Sequence, residues 1–168
     1  MTDLDEELVR HNRAAFGWAL ACCRWDRSLA EDVVQIAYLK LIDGRARFTG
    51  STTNGDFRGF LFGVIRRTAL EERRRRAIRS ALSLGFARHD SDRTEPEGLD
   101  PIIRDETSRQ LTGALDALSP RQREVLTLVF YHDLTIAAAA GVLRISLGSA
   151  RIHYERGKAQ LRRLLGEE

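Results

Sequence analysis

The chain has few of the residues that stabilise secreted or metal-dependent proteins. Its 168 residues include two cysteines, Cys22 and Cys23, and sequence neighbours cannot easily close a disulfide. We therefore expect them to be small buried side chains in a reducing, cytoplasmic setting. The histidines do not have the spacing of a zinc site. They are His11, His89, His132 and His153. We expect no metal and no cofactor.

Proline, aromatic residues and long apolar runs are also scarce. Three prolines and 7% aromatic residues favour helices. No stretch is long and apolar enough to span a membrane, and the acidic start lacks the basic residues of a signal peptide. The chain has neither a glycine-rich phosphate loop nor a nucleophile motif, so we do not expect an enzyme or catalytic residues. The net charge is only +3, so the positive charge that matters is local.

Three helix starts follow one another near the C-terminus. Ser119, Pro120 and Gln122 form a capping box with proline at the first helical position. After a break at His132, Thr135 can cap a second helix and Ser146 a third, which runs to about Leu165. Two short helices followed by a longer basic one are typical of a helix-turn-helix.

The third of these helices is the candidate reader of duplex DNA. Its predicted buried stripe is Ala150, Tyr154, Gly157, Leu161 and Leu164. Arginine and lysine on the open face can neutralise phosphates, and arginine can also make a bidentate hydrogen-bonded contact with guanine. The candidate DNA-binding residues are Ser146, Ser149, Arg151, Ile152, His153, Glu155, Arg156 and Lys158. The alternative is an ordinary amphipathic helix with a solvated charged face.

Two helices are predicted at the start of the chain. The first runs from about Asp3 to Trp25. The second is opened by a capping box at Ser28 and Glu31 and ends near Ile42. Apolar residues cover so much of its circumference that the helix is either central in the domain core or packs against an external partner. Its polar face carries Glu31, Asp32 and Gln35. The alternative is that Glu31 only completes the cap and the other two are solvated.

A polar loop and a basic helix follow. Phe48 is the one aromatic residue of the loop from Arg45 to Asp56, and it can either stack on an unpaired base or pin the loop to the core. Asp56 can cap a helix with an apolar stripe. The stripe is Phe57, Phe60, Leu61, Val64, Ile65 and Thr68. Arginines lie off it, and four in succession are unfavourable without counter-ions or phosphates nearby. They are Arg58, Arg66, Arg67, Arg73, Arg74, Arg75 and Arg76.

The helical spacing of apolar residues is lost between this helix and the C-terminal helices. Residues 80–104 are rich in turn residues and mixed charge, which predicts a flexible linker. A further helix is expected from about Arg104 to Leu118. The sequence thus predicts an all-α protein of two small helical domains, 1–79 and 105–168, joined by the linker.

The order and spacing of these pieces resemble a bacterial sigma-70 family RNA polymerase sigma factor of the extracytoplasmic function (ECF) group. Each motif is similar to one region of that family. Region 2.2 resembles Ala30-Glu31-Asp32-Val33-Val34-Gln35. Regions 2.3 and 2.4 resemble Phe57-Arg58-Gly59-Phe60-Leu61-Phe62 and Ala69-Leu70-Glu71. Region 4.1 resembles the stretch from Leu115 to Leu126, and region 4.2 that from Ile145 to Arg151.

The resemblance implies a role for each set of residues. Glu31, Asp32 and Gln35 would dock on core RNA polymerase. Phe48 and the arginines from Arg58 to Arg76 would capture the promoter's −10 element as its strands part. The helix that follows Ser146 would read the −35 element, and an anti-sigma factor would be a further partner.

Some residues depart from the family pattern. Arg67 and Phe60 stand where the family usually has Asn and Trp, and Arg144 where the turn usually has Gly. Without the resemblance, two other functions remain open. One is a stand-alone helix-turn-helix regulator, which would need a palindromic site. The other is a sigma-like decoy that binds a regulatory protein and not DNA.

Overall fold

The computed structural model describes residues 3–50, 56–83 and 106–166, and the regular elements in these ranges are helical, as predicted. The chain divides into two compact units, Met1–Glu95 and Pro96–Glu168. The helices are α1 (Asp3–Cys22), α2 (Arg27–Ile42), α3 (Asp56–Leu82), α4 (Glu106–Asp116), α5 (Pro120–Leu126), α6 (Ile136–Leu143) and α7 (Leu147–Leu165). A π-helical turn, Thr127–Tyr131, extends α5.

In the N-terminal unit, α1, α2 and α3 pack against one another around large apolar side chains. Trp18 is fully buried, and its Nε1 donates to the carbonyl oxygen of Phe62 at 3.0 Å. The bond satisfies the one polar group of the indole, so the ring can lie in the core without a desolvation penalty. The core of this unit also contains Val33, Phe57, Leu61 and Ile65.

The corner between α1 and α2 differs from the prediction. The first helix ends at Cys22, because Arg24 and Trp25 take left-handed backbone angles (φ 54° and 68°). The second helix is capped by Asp26, whose Oδ1 accepts from the amide of Leu29 at 2.8 Å. The predicted cap, Ser28, lies within the first turn. A carboxylate is a good N-cap and also interacts favourably with the positive end of the helix dipole.

The buried face of α3 is rotated from the predicted stripe. Phe57, Leu61, Ile65 and Thr68 are buried as predicted, but Phe62 is also fully buried. The predicted stripe members Phe60 and Val64 are only half-buried. The helix packs against both α1 and α2, so its buried arc is wider than one stripe and shifts towards the second neighbour. It continues to Leu82, past residue 79, where we placed the boundary.

The C-terminal unit confirms the three predicted caps. Ser119 and Gln122 form the reciprocal capping box, Thr135 accepts from the amide of Ala138, and Ser146 accepts from that of Ser149. The predicted buried stripe of α7 is wrong at its end, because Leu164 is 48% exposed. The predicted linker residues 84–104, loop residues 51–55 and the start of the helix at Arg104 lie outside the described ranges.

Candidate nucleic-acid interface

The N-terminal half of α7 presents cations that are not engaged elsewhere in the described chain. The side chains of Arg151 and Arg156 are exposed and form no ion pair or hydrogen bond with the residues that the structure describes. Ile152 lies between them and is 50% exposed, while His153 is half-buried. The arginines can therefore bind an external anion without first breaking an internal contact.

The two predicted DNA-binding serines hold the start of α7. The hydroxyl of Ser146 donates to Ser149 Oγ at 2.9 Å and accepts from the Ser149 amide at 3.1 Å. An N-cap of this kind satisfies an amide that the helix leaves unpaired. Both serines therefore have a structural role, and their contacts fix the direction in which α7 leaves the turn.

Lys158 and Glu155 interact with each other. Lys158 Nζ lies 3.5 Å from Glu155 Oε2 and 4.9 Å from the centre of the Tyr154 ring. Tyr154 in turn stacks on Phe130 with the ring centres 5.8 Å apart. Lys158 is therefore positioned by a carboxylate and an aromatic face, and it is less available than Arg151 or Arg156.

The arginine run of α3 is divided between internal and exposed positions. Arg76 pairs with Asp26 at 3.0 Å and with Asp32 at 3.5 Å. Arg73 donates to the carbonyl oxygen of Cys22 at 3.4 Å. These contacts hold the C-terminal half of α3 against the α1–α2 corner. Arg75 pairs with Glu72, its neighbour on the same helix. Arg74 is exposed and makes no ion pair with the described residues.

The other candidate arginines of α3 have different surroundings. Arg58 and Arg66 are half-buried, whereas Arg67 is exposed and lies 3.6 Å from Glu71. Glu71 also accepts from Lys40 of α2 at 2.7 Å. That hydrogen bond is the main reason why the pKa of Glu71 is lowered from its ordinary value. Glu71 therefore links α2 to α3 and partly neutralises Arg67.

Phe48 packs against α3. Its ring centre lies 5.5 Å from that of Phe57 in an edge-to-face arrangement and 5.2 Å from that of Phe60. Gly50 approaches the same ring so closely that an added Cβ would lie 2.7 Å from Phe48 Cζ. Of the two roles that the sequence left open, this geometry favours the one in which the ring pins the loop to the core.

The polar face of α2 is exposed, and its apolar continuation was missed. Glu31, Asp32 and Gln35 are all exposed, with Glu31 paired to Arg27 at 3.1 Å. Leu39 and Ile42 follow Gln35 by four and seven residues and are 53% and 59% exposed. This spacing puts them on the same helical face. The signal was present in the sequence, but it could not be distinguished from core periodicity.

No group of three potential metal ligands occurs among residues 3–50, 56–83 and 106–166. Within the same ranges, no helix is long and apolar enough to cross a bilayer.

The two units match two family models. The model for sigma-70 region 2 matches residues 8–78, and that for sigma-70 region 4 matches residues 108–161. RNA polymerase sigma factor CarQ of Myxococcus xanthus is 29% identical over 166 residues, covering 98% of this chain and 91% of CarQ. ECF RNA polymerase sigma factor SigK of Mycolicibacterium vanbaalenii is 26% identical over 141 residues, covering 84% of this chain and 71% of SigK.

The fold also matches a solved structure. Sigma factor RpoE from Bartonella quintana, crystallised with the anti-sigma factor NepR, has a TM-score of 0.72 and 22% identity, with 99% of this chain and 98% of RpoE covered. The order of the two matched regions, and the helices that carry them, agree with the resemblance found in the sequence. The chain belongs to the sigma-70 family of RNA polymerase sigma factors, in the ECF group, which bind core RNA polymerase and direct promoter recognition and transcription initiation.

Proposed function

We propose that the two units divide promoter recognition, with α7 reading the −35 element as duplex and the N-terminal unit binding core polymerase and the opened −10 element. The protein contributes no catalysis and works in the cytoplasm. The observation that carries the proposal is the exposed pair Arg151 and Arg156 on the third helix of a helix-turn-helix, free of internal ion pairs in the described chain. A cation that loses no internal partner gains the full benefit of a base or phosphate contact.

Replacing these arginines tests the −35 assignment. In holoenzyme reconstituted with purified core, Arg151→Ala or Arg156→Ala should weaken promoter binding by about 1–3 kcal/mol if the residue forks onto a base. The matched control is Arg163→Ala, the same charge change about 18 Å further along α7 from Arg151. An equal loss on every −35 sequence would demote the residue to a phosphate contact. Wild-type holoenzyme that ignored the −35 sequence would refute the assignment.

We propose Arg74 as the first contact of the α3 run with the −10 strand. Reversing all four charges from Arg73 to Arg76 would also break the contacts that Arg73 and Arg76 make with the α1–α2 corner. Arg74→Glu changes only the exposed position that has no ion pair with the described residues. It should reduce open-complex formation by holoenzyme, measured by permanganate reactivity of unpaired thymines, while the melting temperature stays constant. A sigma-like decoy would lose little function in this experiment.

We propose that the exposed face of α2 docks on core polymerase through Asp32 and Gln35, with Leu39 and Ile42 extending the contact. Replacing Asp32 and Gln35 together by alanine should weaken core binding and leave the fold intact. Because Asp32 also pairs with Arg76, Arg76→Ala is the control for loss of that ion pair. A lower melting temperature with unchanged core affinity would make the two residues structural.

We propose an anti-sigma factor as a further partner. The support is the fold shared with RpoE of Bartonella quintana, which was crystallised with the anti-sigma factor NepR. A purified candidate regulator should form a stoichiometric complex with the chain and compete with core polymerase for it. A regulator that bound without competing would contradict the proposed role.

A further inference from the structure

The turn of the helix-turn-helix contains a residue that its backbone does not favour. The last turn of α6 ends on Arg144, which has φ 53° and ψ 47°. Residues other than glycine adopt this left-handed conformation at a cost of roughly 1 kcal/mol. The cap itself needs no side chain, because the amide of Arg144 donates to Gly141 at 3.3 Å and that of Ile145 to Ala140 at 3.1 Å. Glycine would make the same bonds without strain.

The position of Arg144 suggests a function that would account for a strained residue in the turn. It lies two residues before Ser146, the N-cap of α7, and its side chain is exposed. It forms no ion pair with the residues that the structure describes. The N-terminal end of a recognition helix is the end that enters the major groove, where phosphates flank it on both sides.

The first turn of α7 carries no cation of its own. Leu147, Gly148 and Ser149 are uncharged, and the first basic residue within the helix is Arg151. Phosphate contacts fix the register of a recognition helix on the duplex. Arg144 supplies a positive charge in the turn, next to the N-terminal end of α7, where such a phosphate contact is needed.

We propose that Arg144 is a DNA-backbone contact that anchors the N-terminal end of α7 on a phosphate of the −35 element. This rests on the proposed role of α7 as the −35 reader. A purely structural explanation competes with it, since a cation at the C-terminal end of α6 interacts favourably with the helix dipole. The two differ in outcome, because a dipole effect would appear in the stability of the free protein and not in its affinity for DNA.

The experiment uses the full chain in holoenzyme and a promoter fragment selected from random duplexes with the wild-type holoenzyme. Arg144→Gly removes the charge and relieves the backbone, so the free protein should melt at the same temperature or higher. Binding should nevertheless weaken about eightfold at 0.1 M salt, and the slope of log K against log salt should fall by about 0.9, the value for one phosphate. Arg144→Lys should retain most of the affinity.

The loss should be equal on the selected fragment and on fragments with single −35 substitutions. A loss confined to one base pair would overturn the phosphate assignment, and so would unchanged affinity at every salt concentration. A lower melting temperature with unchanged binding would establish the dipole explanation instead. A fragment with a scrambled −35 element separates failure of the proposed −35 role of α7 from failure of the Arg144 assignment. If α7 did not read the −35 element, the wild-type holoenzyme would bind this fragment as tightly as the selected one.

Discussion

Replacing Phe48 by alanine should destabilise the N-terminal unit before it affects any contact with DNA. The ring is half-buried and packs against Phe57 and Phe60 of α3. Truncating a fully buried phenylalanine to alanine costs about 3–5 kcal/mol, so a half-buried ring should cost about 2 kcal/mol. Phe48→Leu keeps most of the packing volume and should cost less than about 1.5 kcal/mol.

Tryptophan fluorescence can follow this unit by itself. Both tryptophans of the chain, Trp18 and Trp25, lie in the N-terminal unit, so their emission reports its unfolding and not that of α4 to α7. With a urea m-value of about 2 kcal/mol/M, the midpoint for Phe48→Ala should fall by about 1 M. Phe130→Ala, an exposed ring in the other unit, is the control and should leave the transition unchanged.

One pattern of results would refute this reasoning. If Phe48→Ala unfolded at the wild-type urea midpoint but holoenzyme carrying it no longer formed open complexes, the ring would be a stacking platform for an unpaired base. The packing against α3 would then be a resting position that the ring leaves at little cost. The packing role predicts a lower urea midpoint with open complexes still formed by the folded protein, and the stacking role predicts an unchanged midpoint with open complexes lost. The pair of measurements therefore decides between the roles.

Two further predictions follow from shifted pKa values. The pKa of Glu71 is lowered in the folded state, so its contribution to stability is present above the unfolded pKa and disappears as pH falls through the folded one. Glu71→Gln should therefore lower the melting temperature at pH 7 and match the wild type in acid; a difference constant with pH would contradict this. Burial raises the pKa of Cys23 to about 12, so in Cys22→Ser the native protein should resist iodoacetamide at pH 8 until it is unfolded. Rapid labelling of the native form would contradict the buried position.

The helix-turn-helix could be predicted closely because its signals are local. Ser119, Thr135 and Ser146 each accept from an amide three residues later, so the cap and its partner lie within one short stretch of sequence. The left-handed turn at Arg144 could be anticipated only from the family resemblance, in which Gly is usual at this position. By contrast, the π-helical turn at Thr127–Tyr131 has no signature in the sequence.

Most of what the sequence could not supply depends on partners distant in the chain, and the cap of α2 is the local exception. Asp26 and Ser28 are both acceptable N-caps, and the left-handed residues before α2 favour the first. The buried arc of α3 depends on two neighbouring helices, so periodicity alone placed Phe62 on the wrong side. The availability of the arginines is likewise decided at long range, since Arg76 meets Asp26 fifty residues away.

The contact between Arg76 and Asp32 bears on how the two proposed surfaces of the N-terminal unit can be separated. Asp32 belongs to the docking set and Arg76 to the −10 set, yet their side chains meet at 3.5 Å. A partner that bound Asp32 would compete with Arg76, and DNA that bound Arg76 would compete with Asp32. Both groups are substantially exposed, so the pair is worth at most about 1 kcal/mol and either competitor can break it. If the two proposed surfaces bind as assigned, docking and strand capture are linked through this pair, and Gln35, which carries no charge, is the position where docking alone can be measured.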